Sequence, residues 1–567
     1  MMDIVIRGGL VVDGCGAAPF RADVGIVDGL IAAVGSDLGP ARREINAEDR
    51  IVTPGWVDIH SHYDGQVTWD PLVSPSGAHG VTTTVMGNCG VGFAPVRPHQ
   101  RDWLINLMEG VEDIPGTALA EGIDWRWETF PEYLDALEAG FRVMDIATQA
   151  PHSAIRAYVM GERQAVRGAC TPAELAQMET IVTEAIAAGA LGLSTSRTKL
   201  HLAADGQPVP GSFVEIQELQ ALGRAMARGG GGIFQLVMDW SDPKADFAWL
   251  RALAQDCAVP ISYALVQFDE APGDYVELLA LTAQAQAEGI DITAGVGARP
   301  VGMLINLESK VHPFSAHPSF RDLAPLPLAA IVGKMRDPEL RARMMAETPE
   351  GMSRWWRTKM ATFDAMFALG DPPDYEPAPE ASVAATAARQ GRAPLEVVYD
   401  LLLENEGRSW IYFPMINYGD RDFGPLHAML THPNAVLSLA DGGAHCGMIC
   451  DASAPTFLLS HWVRDRVRGP RLSLEQAVSM QTSRPAKAWG LRDRGVIAPG
   501  LRADLNVIDM ESIGVLPPYW ASDLPAQGRR LLQDARGYDF TLCAGAVTWE
   551  GGAHTGELPG RLVRGRR

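Results

Sequence analysis

Several absences narrow the class of this 567-residue sequence before any motif is considered. Basic residues are scarce: 48 Lys and Arg stand against 69 Asp and Glu, leaving a formal charge of -21. Nucleic acid and anionic membrane surfaces are bound through basic patches, so neither is expected as a partner. No uninterrupted apolar run approaches the ~20 residues that span a bilayer. The opening MMDIVIRGGLVVDG places Asp3 where a secretion leader would be basic, and it reads as a strand and a turn. Seven cysteines, at 15, 89, 170, 257, 446, 450 and 543, are odd in number and scattered, so they form no disulfide framework. A freely diffusing, cytoplasmic protein is therefore expected. Cys446 and Cys450 are four apart but lack the second pair that a structural zinc site needs. Histidine is missing over one long stretch, with none between His201 and His312.

What is present supports a large folded core. Hydrophobic residues make up 47% and charged residues 21%, far from the composition of disorder. Residues 1–55 hold short alternating runs broken by Gly and Asp turns, and the stretch 490–567 repeats that character in GVIAPGLRADLNVIDM and DFTLCAGAVTWEGG. One small β-sandwich built from both termini is expected. Between them, helical patterns alternate with short apolar strands. TPAELAQMETIVTEAIAAGA carries Thr171 as N-cap, Pro172 at the first helical position and Glu174 three residues after the cap. Strand candidates number eight: WVDIH, TTTVMGN, RVMDIAT, LGLSTS, IFQLVMD, ISYALVQ, DITAGVG and AVLSLAD. Eight parallel strands alternating with helices predict an α/β fold, a (β/α)8 TIM-like barrel over 56–489, with chemistry at the C-terminal strand ends.

Those ends are rich in ionisable groups. Strand one runs into His60 and His62, which share a face because side chains alternate along an extended segment. Two imidazoles converging on one point suit a divalent ion such as zinc; two ordinary polar residues at a strand end are the plain alternative. Strand two ends at Asn88 and Cys89, strand three at His152 and Arg156, and strand four at Arg197, Lys199 and His201. Strand seven ends at Arg299, and strand eight at Asp441 with His445 beyond it. So many ionisable groups in one place are costly unless paired, solvated or bound to metal. Arg197 and Arg299 suit a substrate carboxylate, because a guanidinium fork matches its geometry. An ion pair with one of the many acidic residues competes with that role.

IVTPGWVDIHSHYDG, LSLADGGAH and RGVIAPGLRADLNVID, in that order around a central barrel, resemble the amidohydrolase superfamily. GNCGVGFAP and GALGLSTS resemble its D-aminoacylase branch, the N-acyl-D-amino-acid deacylases. The resemblance implies one or two zinc or other divalent ions held by His60, His62, Cys89 and Asp441. It also implies that Asp441 takes a proton from the attacking water and passes it to the leaving nitrogen. A small buried hydrophobe is the other reading of Cys89.

The sequence departs from that branch in one respect. Strands five and six normally each supply a metal-binding histidine, and here Gln235, Asp239, Gln267 and Asp269 stand in those segments. Either the four residues above hold the metal alone, or Lys199, as a carboxylated bridge, or His201 assists. Asn88, Arg197, His201, Arg299 and His445 are the candidates for substrate contact. Two aromatic stretches, 124–134 and 354–367, fall in or beside insertions at about 100–130 and 305–375 that read as lids, with an oligomer interface or core packing as alternatives. The leading function is hydrolysis of an amide, an N-acyl D-amino acid or a related acylated or cyclic amide carrying a carboxylate. A metal-dependent lyase or decarboxylase on a rebuilt site is the alternative.

Overall fold

The computed structural model describes residues 1–161, 166 and 168–565, so the last two residues of the expected terminal unit lie outside the described residues. The chain is a mixed α/β protein. Among the described residues, the eight expected strands occur as parallel segments in chain order. Strand one (Trp56–Asp58) pairs with strand two (Val81–Met86), and strand two pairs with strand three (Asp145–Thr148). Strand three breaks at Gln149 and resumes at Ala150–Pro151, beside strand four (Gly192–Arg197). Strands five (Ile233–Met238), six (Ile261–Ala264), seven (Ile292–Val296) and eight (Ala435–Leu437) follow in order. Past the ends of strands one and eight, Ser61 bridges Gly442; the His62 N–H donates to the Gly442 carbonyl at 2.7 Å and the Asp441 N–H to the His60 carbonyl at 3.1 Å.

Local sequence accounts for the intervening helices. In Pro172–Ala188, the Thr171 hydroxyl accepts from the Glu174 N–H and the Glu174 carboxylate accepts from the Thr171 N–H, the reciprocal cap that the spacing predicted. Gly189, at φ 119°, ends the helix.

Strands from both ends of the chain share one sheet, in which Ile51–Pro54 runs antiparallel to Leu505–Ile508. The strand Met2–Val11 pairs along different parts of its length with Phe20–Val27, Ala41–Asn46 and Ile51–Pro54, giving one branched nine-stranded sheet folded over Ile6, Val24, Val52, Leu505 and Leu542. The chain end leaves that sheet, and Val563 donates to the Ile146 carbonyl on strand three.

Of the two aromatic stretches, the first is packed inward. Trp127, Phe130 and Tyr133 are buried, with the Trp127 indole N–H on the Phe93 carbonyl and the Tyr133 hydroxyl on the Asp64 carbonyl. This stretch is core packing under a loop. Around the second, residues from Met303 to Phe413 share their own apolar cluster, and Trp356 packs against it.

Candidate metal centre

The end of strand one delivers the first two groups. Asp58 accepts the His60 N–H at 3.0 Å, and the alternation of the extended chain turns His60 and His62 to one side, their ring centroids 5.4 Å apart. Strand two delivers the third through a tight turn in which Gly87, Cys89 and Gly90 all have positive φ. The Cys89 N–H donates to the buried Gln235 Oε1 at 3.1 Å. Cys89 Sγ then lies 3.4 Å from His60 Nε2 and 4.0 Å from His62 Nε2. Nitrogen and sulfur donor atoms of these three buried residues all fall within 4.8 Å of one another. From the loop after strand eight, Asp441 Oδ1 closes to 3.3 Å from His60 Nε2 and 3.6 Å from His62 Nε2.

The electrostatics favour a cation here. Burial pushes the Cys89 thiol up to about 12, so thiolate needs a positive partner. Burial lowers His60 to about 4, keeping it neutral with a lone pair to offer. Burial acts the same way on His62, but the facing Glu112 charge and hydrogen bonds to Asp441 and Cys89 outweigh it and raise this imidazole well above its ordinary value. For Asp441, burial alone would favour the acid; the His62 hydrogen bond and the His60, His62 and His445 charges reverse this and hold it well below the carboxylate range. Two imidazoles, a thiolate and a carboxylate are a donor set that zinc accepts.

Other expected residues are placed differently. His201 borders the cluster: Ser196 Oγ holds its Nδ1 at 2.9 Å, and burial, then the charges of His445 and His62, lower it to about 3. His445 turns Nε2 to 3.7 Å from Glu112 Oε2. Lys199 is exposed, and its backbone N–H is tied to Asp239 Oδ2; it does not join the cluster. Arg197 is on the opposite face of strand four from Ser194 and Ser196, with Nη1 on the Val214 carbonyl and its guanidinium 5.3 Å from the Trp249 ring centre. Arg299 is buried against Asp451 at 3.0 Å and the Cys450 carbonyl at 2.7 Å, so it serves an internal ion pair. Asn88 spends both amide hydrogens on the Ser61 and Val85 carbonyls and accepts from Gln149. Each of these three side chains is thus engaged within the protein, while Arg299 Nη1 is buried without a hydrogen-bond partner. Gln267 holds Gly419 and Pro272, and Asp239 holds Thr198 and Lys199.

One functional neighbour was missed. Glu112, 1% exposed, places Oε1 3.3 Å from His62 Nδ1. A signal existed: Leu104, Met108 and Glu112 are four apart on the buried stripe of Arg101–Glu112, so a carboxylate stands where an apolar residue is expected.

Residues 43–548 match the amidohydrolase family. The chain is 28% identical over 520 residues to the N-acyl-D-glutamate deacylase of Alcaligenes xylosoxydans xylosoxydans, covering 90% of this chain and 88% of that one. Its fold is similar to that of a D-aminoacylase with a binuclear metal centre, at TM-score 0.66 and 24% identity over 100% of both chains. It is similar also to the N-acyl-D-glutamate deacylase of Bordetella bronchiseptica complexed with zinc and a phosphonate inhibitor, at TM-score 0.66 and 24% identity over 99% of both. The chain belongs to the amidohydrolase family, metal-dependent hydrolases of carbon–nitrogen bonds other than peptide bonds, and within it is related to the D-aminoacylases.

Proposed function

We propose that this protein hydrolyses the amide of an N-acyl D-amino acid at a zinc centre held by His60, His62, Cys89 and Asp441. The observation that carries the reading is the convergence of His60, His62 and Cys89 donor atoms within 4.8 Å, with Asp441 at 3.3 and 3.6 Å from the two imidazoles. The eight parallel segments and the Ser61–Gly442 bridge support closure of the strands into a (β/α)8 barrel, with this cluster at the C-terminal strand ends where barrel chemistry sits. The substrate class rests on the N-acyl-D-glutamate deacylases that the chain resembles.

When bound, the metal lowers the pKa of water towards about 7 and polarises the amide carbonyl. The remaining work belongs to side chains. Asp441, ionised and facing both imidazoles, accepts the proton of the attacking water and returns it to the departing nitrogen. Cys89 is kept in place by Gln235 through its backbone. His201, neutral and steadied by Ser196, is available to donate to the carbonyl oxygen.

Metal analysis of the purified protein, followed by assay of N-acyl D- and L-amino acids with zinc added, tests the reading. Bound zinc and turnover of a D-substrate are expected. Turnover of a carbon–carbon bond substrate with no amide cleaved, or activity indifferent to zinc and to a chelator, would rule it out.

A further inference from the structure

The helix Arg101–Glu112 is terminated by Asp113, at φ 49°, and its end is pinned to the loop after strand eight. The His445 N–H donates to the Glu112 carbonyl, and the Gly447 N–H donates to Asp113 Oδ2 at 3.1 Å. This brings a carboxylate with 1% exposure beneath the metal-binding cluster. Glu112 Oε1 and His62 Nδ1 are both buried without a hydrogen-bonding partner, and they lie 3.3 Å apart. A buried carboxylate oxygen and a buried ring nitrogen that each stood alone would cost the fold free energy. A proton on Nδ1, with a small turn of the Glu112 carboxylate towards it, would satisfy both.

We propose that Glu112 is the positioning residue of the metal centre: it accepts the Nδ1 proton of His62, fixing the tautomer whose Nε2 lone pair faces Cys89 and Asp441. The inference rests on the zinc reading above. An imidazole can turn about its Cβ–Cγ bond and can carry its proton on either nitrogen; an acceptor on Nδ1 removes both freedoms and makes Nε2 a better donor to a metal. The second oxygen of Glu112 lies 3.7 Å from His445 Nε2. One carboxylate thereby ties the strand-one ligand to the strand-eight loop that carries Asp441. It also explains why the apolar stripe of this helix ends in a charge.

The test uses the full chain, with zinc affinity measured by competition against a chromophoric chelator for the parent, Glu112→Gln, Glu112→Ala and His62→Ala. Glu112→Ala is expected to bind zinc about 10- to 100-fold more weakly. Glu112→Gln is expected to fall between it and the parent, because its amide oxygen still accepts from Nδ1, and to melt, metal-free, where the metal-free parent melts. The visible spectrum of the cobalt(II)-loaded Glu112→Ala variant should shift relative to the parent. Glu112 variants as tight as the parent, with His62→Ala weakened, overturn this inference alone. A parent that binds no zinc, or His62→Ala as tight as the parent, overturns the zinc reading and this inference with it. Weakening of Glu112→Gln that only tracks a lower metal-free melting temperature reduces Glu112 to a structural role and also overturns it.

Discussion

At the scale of single residues, the proposed centre separates side chains that converge on one point from side chains that merely lie on neighbouring strand ends. Asp441 faces His60 and His62 with its carboxylate ionised. Its replacement by asparagine keeps the shape but cannot carry a proton, so kcat should fall about 10²- to 10⁴-fold in steady-state assays at saturating zinc. Lys199 provides the contrast. It is exposed, and Asp239 holds its segment through the Lys199 N–H and the Thr198 hydroxyl, so Lys199→Ala should leave zinc content and kcat within about twofold of the parent. A large loss in that variant would restore the carboxylated-lysine bridge. The fate of Arg197 has a simple cause: position 197 differs in parity from 194 and 196, which turns its guanidinium to the outer face with Trp249. Arg299 is on a segment that does reach the buried interior, but Asp451 claims it there.

At the scale of elements, the turn after strand two decides where the thiol goes. Gly90 has φ +72°, and a Cβ added to it would stand 2.7 Å from Thr195 Cα, a backbone atom on strand four that cannot swing aside. Cys89 itself is in the left-handed region at φ 54°, a conformation in which non-glycine residues carry strain. Gly90→Ala should therefore destabilise the protein by about 1–3 kcal/mol, read by denaturant unfolding. It should also weaken zinc binding, because relief of the clash moves Cys89 away from His60. Stability equal to the parent would show that the turn has more slack than its contacts imply.

At the scale of the molecule, buried polar links join the parallel strands to the elements that follow them in sequence. Asp145, at the start of strand three, receives Arg494 at 2.7 Å and Arg502 at 2.8 Å, and Asp504 completes the network at 3.2 Å from Arg502. Removing Asp145 leaves two buried cations to share Asp504, so Asp145→Ala should cost about 3–5 kcal/mol by denaturant unfolding. His79 is a second link, fully buried between Thr456 Oγ1 and the Gln533 carbonyl, each at 2.8 Å. Burial lowers its pKa to about 4, below the ~6.5 of an exposed imidazole. The unfolded chain thus binds the proton first. His79 contributes fully above about pH 6.5, and up to about 3 kcal/mol of stability is lost as pH falls from there through 4. The melting temperature of the metal-free protein should drop over that window, and less steeply in His79→Asn. Equal slopes in the two proteins would assign the acid sensitivity elsewhere.

Local chemistry written in the sequence settled the elements. Helix caps such as Thr171 and Glu174, apolar strand runs and the two-residue spacing of His60 and His62 are properties of neighbouring residues, and they survive folding unchanged. The motifs also pointed to the amidohydrolase family, to which the chain belongs. Partners more than a few residues apart were decided only in three dimensions. That Glu112 meets His62, that Gln235 holds the Cys89 backbone, and that Asp451 takes Arg299 all depend on which strand ends and loops the folded chain brings within about 3 Å. Hydrogen bonds and ion pairs weaken steeply beyond that range, and sequence separation carries no record of it.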